Sequence, residues 1–238
     1  MSDRARRRDI IAIGGGGFLA EPRNLALEKY ILDQTDKDRP NVLMIPTARG
    51  DDAEYVAKFY AACIELGARV QHLQFFHRTP DIRALVLSHD AVFVGGGNTK
   101  SMLAVWREWR LPEVLREAYE SGIVLGGQSA GAICWFEQGV TDSWADRLRP
   151  LECMGFLPGS CCPHYDGEIE RRPAYHALVQ NGSMKPGYAI EDAAAVHFRN
   201  GQLERVVSKK HGARAYTVSM RGNVIEEHPL DVTLLPAR

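Results

Sequence analysis

The sequence predicts a three-layer α/β fold, doubly wound around a mostly parallel sheet, with antiparallel strands at its C-terminal end. Short β-branched runs that end in glycine alternate with amphipathic segments through the first part of the chain. Such alternation is typical of a parallel sheet with helices on both faces. The C-terminal third instead carries short strand-like runs separated by turns such as Arg199-Asn200-Gly201, which favours antiparallel pairing.

The predicted elements follow from periodicity and from turn residues. Helix 53–66, for example, keeps Val56, Phe59 and Cys63 on one face at the 3.6-residue period. The predicted parallel strands are 9–13, 41–45, 69–73, 91–94 and 123–126. The predicted helices are 24–34, 53–66, 81–88, 102–109, 111–121 and 130–137. The predicted C-terminal strands, expected to extend the same sheet, are 187–190, 194–199, 205–207, 215–219 and 223–227.

Composition favours a single globular domain over residues 1–238, of which residues 1–8 are expected to form a basic, disordered tail. With 29 basic and 30 acidic residues the net charge is −1, which gives no argument for a nucleic-acid or membrane partner. No apolar stretch reaches the roughly 18 residues of a membrane helix. Five cysteines without disulfide-like spacing indicate a reducing compartment, and we expect a cytoplasmic protein.

The segment 123–134 is the strongest local signal for chemistry. An apolar strand ends in Gly126-Gly127, the chain turns at Ser129, and a helix is predicted to follow. A nucleophile elbow needs small neighbours around a residue in strained backbone geometry. A Gly-x-Ser-x-Gly string is also found in plain tight turns, but the strand before it and the helix after it favour Ser129 as a nucleophile.

A second glycine loop follows the strand 91–94, at Gly95-Gly96-Gly97-Asn98. Consecutive glycines allow backbone amides to approach a ligand, and Asn98 offers an amide to a substrate. The loop lacks the Lys-Ser/Thr ending of a phosphate loop, as does the tract 14–17. We therefore expect the tract 14–17 to be a cleft or packing loop, and we expect no cofactor.

A serine nucleophile needs a base, and His164 is the best placed of eight histidines, at the end of a predicted strand after Pro163. Spacing alone does not separate it from the others. The neighbouring Cys161 and Cys162 are a poor chelating pair, so we predict no metal site.

Together, these three segments resemble the dipeptidase E (aspartyl dipeptidase) family of serine peptidases, whose relatives include the cyanophycinases. The resemblance rests on residues 94–99, on residues 126–132 and on Pro163-His164, and it covers residues 9 to about 228. It implies a class I glutamine amidotransferase-like, flavodoxin-like fold without metal or cofactor. It also implies His164 as the general base and the backbone N–H groups of Gly97 and Ala130 as oxyanion donors.

The resemblance places the third member of the triad between nucleophile and histidine, where Asp142 aligns best. The competing acids are Asp146, Glu152, Asp166 and Glu168. For the substrate we expect a small peptide, with Asp-Xaa dipeptides as one class. Arg171 and Arg172 could bind its carboxylate, and Glu168 would pair with Arg172, four residues away on the same helix face. A solvated charged face is the plain alternative.

Other functions share this fold. A glutamine amidotransferase would need cysteine at position 129, and Cys134 lies in the following segment. Glu168 and Glu170 could instead select an amino group, as a cyanophycinase-like peptidase requires. A non-catalytic member of the fold is the third alternative, and a homodimer is the one protein partner we expect.

Overall fold

A computed structural model shows two mixed β-sheets and seven α-helices in the part of the chain that it describes, residues 7–236. The strands are β1 (Asp9–Ile13), β2 (Asn41–Ile45), β3 (Arg69–His72), β4 (Ala91–Val94), β5 (Val124–Gln128), β6 (Phe136–Thr141), β7 (Arg149–Glu152), β8 (Leu157–Cys162), β9 (Gly187–Ile190), β10 (Ala194–Arg199), β11 (Gln202–Ser208), β12 (Ala215–Arg221), β13 (Val224–Pro229) and β14 (Val232–Leu234). The helices are α1 (Ala26–Asp33), α2 (Ala53–Glu65), α3 (Ile82–Leu87), α4 (Thr99–Glu108), α5 (Leu111–Glu120), α6 (Ala130–Ile133) and α7 (Arg171–Gln180).

The main sheet has eight strands in the order β14-β11-β10-β1-β5-β4-β2-β3. The five strands from β1 to β3 are parallel to one another, whereas β10 runs antiparallel to β1 and β11 antiparallel to β10. The predicted parallel strands are therefore present, and two of the predicted C-terminal strands extend this sheet.

Helices cover both faces of the main sheet, and its central strands are therefore buried on both sides. In β1 all five residues are buried. Ile10 packs with the core cluster that includes α4 and α5, whereas Ile11 packs with the cluster that includes α1 and α2. Successive side chains of a strand point to opposite faces, so an apolar run without alternation is what this position requires.

The second sheet has six strands, in the order β13-β12-β9-β8-β6-β7. Its central strands β6, β8 and β9 are parallel. The prediction that all the C-terminal strands join one sheet is wrong for β9, β12 and β13. The predicted helix 130–137 is also wrong beyond Ile133, because the chain turns at Cys134 and enters β6.

The predicted disordered tail, residues 1–8, is described only in part. Its residues 1–6 lie outside the described residues. Arg7 pairs with Asp9, and the Arg8 carbonyl accepts the Asn200 N–H at 2.8 Å. The expected disorder is therefore wrong for Arg7 and Arg8. Within residues 7–236 no helix is long and apolar enough to cross a membrane.

Candidate active site

Ser129 occupies the sharp turn between β5 and α6. Its backbone lies at φ +56° and ψ −112°, a region that residues with a side chain rarely adopt. The Ser129 N–H donates to the Ile13 carbonyl at 3.1 Å, which ties the turn to the end of β1. A Cβ atom on Gly131 would lie 2.1 Å from the Val94 carbonyl oxygen, so only glycine allows α6 to approach β4. These contacts form a strained turn, which is the backbone geometry that a nucleophile elbow requires.

His164 and Asp192 form a hydrogen-bonded pair at the carboxyl edge of the second sheet. His164 follows β8 and Asp192 follows β9, two neighbouring parallel strands. The His164 Nδ1 lies 2.7 Å from the Asp192 Oδ1, and both side chains are partly exposed. Since Nδ1 is bound to the carboxylate, Nε2 remains as the acceptor of the ring.

The two sheets meet at Gly15, directly after β1. Gly15 forms a parallel bridge with Asp192, and its carbonyl accepts the Ala193 N–H at 2.9 Å. A Cβ on Gly15 would lie 2.1 Å from the Asp192 Oδ1 and 2.5 Å from the His164 ring. The glycine tract after β1 is thus a packing loop that brings the histidine–aspartate pair to the edge where β5 ends.

The Ser129 hydroxyl and the His164 ring lie towards the same edge. Among the described residues, no hydrogen bond joins them. Serine–histidine contacts of this kind commonly tighten only when a substrate binds. The three side chains are of the types that acyl transfer uses as nucleophile, base and orienting acid.

The backbone N–H groups predicted as oxyanion donors make no hydrogen bond within the described part of the protein. In the loop after β4, the Gly96 N–H donates to the Tyr55 hydroxyl at 3.2 Å and the Asn98 N–H to the Ala48 carbonyl at 2.8 Å. Within residues 7–236, the N–H groups of Gly97 and Ala130 have no acceptor. A Cβ on Gly96 would lie 3.2 Å from the Ser129 Cβ, so this loop directly adjoins the elbow.

Asp142 lies away from His164, with its side chain 64% exposed and 3.6 Å from the Arg171 guanidinium. The acidic partner of His164 is Asp192, so the assignment of Asp142 as the orienting acid is not supported by this geometry. Both β6 and β9 run parallel to β8 and end beside it. The His164 ring is bonded to the carboxylate that follows β9, whereas the Asp142 carboxylate, after β6, lies beside Arg171. Of the four competitors, Asp146 pairs with Arg149, Glu152 with Gln138, Asp166 accepts the Asp192 N–H and Glu168 pairs with Arg171.

Arg171 is a buried structural cation. Its side chain is 2% exposed and donates to the Glu168 carboxylate at 2.6 Å and to the Val140 carbonyl at 3.1 Å. The expected Glu168–Arg172 pair is wrong, because Arg171 faces Glu168 from the first turn of α7. Arg172 instead pairs with Glu227 at 2.8 Å and lies between two tyrosine rings, Tyr165 and Tyr216.

Asn98 caps helix α4 and anchors a neighbouring loop. Its Oδ1 accepts the Ser101 N–H at 2.9 Å and its Nδ2 donates to the Ser143 carbonyl at 3.2 Å. This cap begins α4 at Thr99, three residues before the predicted start. The side chain predicted to bind substrate is thus already hydrogen-bonded within the protein.

Burial disfavours the thiolate form of the buried cysteines. Burial raises the pKa of Cys162 to about 12 and raises that of Cys134 and Cys161 well above the usual value. Within residues 7–236 no group of three or more His, Cys, Asp or Glu side chains is placed to hold a metal ion.

Asp192, the partner of the His164 ring, and Arg49, beside the Gly97 loop, are two residues at this edge that the sequence analysis missed. Asp192 lies two residues after the predicted strand 187–190, which was expected to be antiparallel, so the rule that ligands bind at the carboxyl ends of parallel strands did not point to it. The acids that the sequence offered as candidates lie between residues 142 and 168, and Asp192 falls outside that range. Arg49 lies four residues after the parallel strand β2, where the rule does apply.

Comparison with known proteins bears on the same segments. The profile of peptidase family S51 matches residues 10–206. The chain belongs to peptidase family S51. The resemblance to the dipeptidase E family is thereby confirmed, and the match includes Ser129, His164 and Asp192.

Two curated relatives of this S51 chain cover most of its length. It is 50% identical over 229 residues to the uncharacterized peptidase YgaJ of Bacillus subtilis (strain 168), covering 96% of this chain and 99% of the relative. It is 28% identical over 210 residues to the probable alpha-aspartyl dipeptidase of Drosophila melanogaster, covering 79% and 84%. Among solved structures, a peptidase from an acI-B1 Actinobacterium superposes with a TM-score of 0.73 at 18% identity, covering 98% of each chain. This last likeness supports the fold.

Proposed function

We propose that this S51 protein is a serine peptidase that hydrolyses dipeptides or short peptides through a covalent acyl-enzyme. One observation carries the proposal: the strained elbow at Ser129 and the His164–Asp192 pair are brought to one edge by the contact of Gly15 with Asp192. Family membership supports a peptidase.

The reaction follows from the groups at this edge. The Ser129 Oγ attacks the peptide carbonyl carbon while His164 Nε2 takes its proton, and the carbonyl oxygen becomes an oxyanion. The free N–H groups of Gly97 and Ala130 are the donors available to that oxyanion. His164 then gives the proton to the leaving amine, and a water repeats both steps to release the acid and restore Ser129.

The orienting acid in this proposal is Asp192. A carboxylate bonded to Nδ1 holds the imidazole in the tautomer that presents Nε2 to the serine, and it stabilises the imidazolium that forms. Asp192 is in turn fixed through its backbone, since its N–H donates to the Asp166 carboxylate at 2.8 Å. The third member of the proposed triad is thus Asp192 rather than Asp142.

Substrate selection in this proposal falls to Arg49 rather than to Arg171. Arg49 is exposed, and within residues 7–236 no carboxylate lies at ion-pair distance from its guanidinium. It lies over the Tyr55 ring at 4.7 Å, and its Cγ would be 3.1 Å from a Cβ on Gly97. A free guanidinium beside the oxyanion loop suits a substrate carboxylate, either an N-terminal Asp side chain or the C-terminus of a dipeptide.

The alternatives are less well supported by the site. A glutamine amidotransferase reaction needs a thiolate, and Cys134 is fully buried with a raised pKa. The cyanophycinase-like alternative relied on Glu168 to receive an amino group, but Glu168 is bonded to Arg171. A homodimer stays a prediction.

A fluorophosphonate probe tests this proposal on the intact protein, because it labels only an activated serine. We expect one labelled residue, Ser129, and no labelling of Ser129→Ala. Ser88→Ala is the matched control, since Ser88 is exposed at the end of α3. A dipeptide library then gives the substrate class. Absence of labelling at Ser129 in a folded protein would contradict a hydrolase and favour the non-catalytic alternative.

A further inference from the structure

A chain of buried polar side chains lies beneath the elbow. Glu28 of α1 is 3% exposed, Gln128 of β5 is 8% exposed and Tyr55 of α2 is 2% exposed. Uncompensated burial of groups of this kind is unfavourable, so their contacts with the elbow need a physical reason.

Tyr55 joins Gln128 to the oxyanion loop, and Glu28 lies beside Gln128 at Gly17. The Gln128 Nε2 donates to the Tyr55 hydroxyl at 3.4 Å, and the same hydroxyl accepts the Gly96 N–H at 3.2 Å. Gln128 immediately precedes Ser129. A Cβ on Gly17 would lie 2.1 Å from the Gln128 Oε1 and 2.7 Å from the Glu28 Oε1, so the Gln128 and Glu28 side chains face each other across this glycine.

Two buried oxygens in this group of three side chains lack hydrogen-bond partners among the described residues. They are the Glu28 Oε2 and the Gln128 Oε1. The other Glu28 oxygen accepts the Phe18 N–H at 2.6 Å. Two facing acceptors cannot satisfy each other, but a single proton on Glu28 turns one of them into a donor. With that proton, the Glu28 carboxyl would be able to donate to the Gln128 Oε1, and both oxygens would have a partner.

The surroundings of Glu28 favour the protonated form. Burial raises the pKa of Glu28, and the hydrogen bond from Phe18 and the charge of Lys209 oppose this only in part. The Lys209 Nζ donates to the Asn24 carbonyl at 3.0 Å and lies 3.5 Å from Glu21, so its nearest carboxylate is elsewhere. The other titratable groups that face Glu28 are Tyr55 and Cys63, and burial raises the pKa of both.

We infer that Glu28 is a positioning residue for the active site. In its neutral form, Glu28 donates a hydrogen bond to the Gln128 amide, and Gln128 and Tyr55 in turn fix the Gly96–Gly97 loop beside Ser129. With the Gly96 N–H held by Tyr55, the Gly97 N–H is left to face the oxyanion. The inference rests on the proposed function, since it assigns the device that aims one of its donors.

The experiment measures the rate at which the fluorophosphonate probe labels Ser129, from neutral to alkaline pH, in the full-length protein. Glu28→Gln keeps a donor and an acceptor in place, so we expect a rate within about threefold of the wild type at neutral pH. Glu28→Ala should label about tenfold or more slowly, since loss of a whole oxyanion donor costs roughly 10²–10³. The wild-type rate should fall relative to that of Glu28→Gln as the pH rises through the raised pKa of Glu28, because the amide has no such proton to lose.

A second variant keeps the test decisive if Glu28→Ala does not fold. Tyr55→Phe removes the hydroxyl that holds Gly96, and it should slow labelling. Its matched control is Tyr60→Phe on the same helix, where the hydroxyl bonds to His72 at 2.8 Å, and this change should leave the rate unaltered. Equal rates for Tyr55→Phe and Tyr60→Phe, or the same alkaline fall in Glu28→Gln and the wild type, would overturn the inference. A folded wild type that is not labelled at Ser129 would overturn the proposed function itself.

Discussion

The main sheet and the second sheet each contribute one half of the candidate site, and the chain builds these halves differently. The nucleophile half is continuous in sequence: β5, Ser129 and α6 follow one another, and β5 is buried along its whole length. The base half joins His164 and Asp192, which are 28 positions apart and partly exposed. Only the pairing of β8 with β9 brings these two side chains together.

This difference has a mechanical consequence. The elbow is held by backbone hydrogen bonds and close backbone contacts on both sides, whereas the histidine–aspartate pair depends on the contact of Gly15 with Asp192. The nucleophile half should therefore tolerate change at the joint between the sheets, while the base half should not. The following predictions test that difference, beginning with the largest effect.

His164→Ala removes the base while leaving the elbow in place. We expect a loss of peptidase activity by roughly 10⁴-fold or more, about as severe as Ser129→Ala, because triad members act as a unit. The measurement is kcat/KM on a dipeptide that the wild type cleaves. His228→Ala, an exposed histidine on β13, is the control and should retain activity. Comparable activity in the two variants would remove His164 from the site.

Gly15→Ala strains the joint between the two sheets. The new Cβ would clash with both Asp192 and His164, and a misplacement of about 1 Å can cost about 10²-fold in rate. We expect kcat to fall by roughly that factor while circular dichroism shows a folded protein. Gly182→Ala is the control: a Cβ there meets nothing within 4 Å, and although the left-handed backbone (φ +73°) should cost some stability, the activity of the folded protein should change little. Full activity in Gly15→Ala would show that the pair does not depend on this contact.

Arg49→Ala tests the substrate side of the main sheet. A charge-assisted contact is worth about 1.5–3 kcal/mol, so cleavage of Asp-Xaa dipeptides should weaken by about tenfold or more. Neutral dipeptides and dipeptide amides separate a side-chain carboxylate from a C-terminal one. Arg39→Ala is matched, since Arg39 is exposed at the opposite end of the same strand. A loss that is equal for every substrate, including neutral amides, would contradict carboxylate recognition.

Arg171→Ala should lower stability rather than change specificity. The substitution leaves the Val140 carbonyl and Glu168 without their buried donor, which we expect to cost about 1–3 kcal/mol. Urea unfolding measures the change in the free energy of unfolding, and Arg172→Ala should cost less because Arg172 is 46% exposed. A selective loss of Asp-Xaa cleavage at unchanged stability would return Arg171 to the substrate site.

The sequence was informative where structure is local. Periodicity found β1, β2 and β4 at their observed bounds, and the glycines around Ser129 identified the elbow, because both signals lie within a few consecutive residues. The fate of strands 187–190 and 194–199 was not predictable in this way. They follow each other closely but pair in different sheets, a choice that long-range packing decides.

The same limit explains the error at Asp142. Nothing near this residue in sequence reveals that its loop contacts Arg171, or that Asp192 arrives beside His164 through strand pairing. Arg171 is a comparable case, because an arginine close to the histidine in sequence suggested a substrate contact and burial in α7 decided otherwise. Spacing predicts the strained turn at Ser129 but not the carboxylate that the second sheet places beside His164.

The most direct test of this account compares Asp192→Asn with Asp142→Asn by kcat/KM on one cleaved dipeptide. Both changes remove one charge and keep the shape of the side chain. If the second sheet supplies the orienting acid, Asp192→Asn should lower the value by about 10⁴-fold, and Asp142→Asn should stay within about threefold of the wild type, as expected for an exposed pair. The reverse order, with Asp192→Asn near wild type and Asp142→Asn strongly impaired, would contradict it.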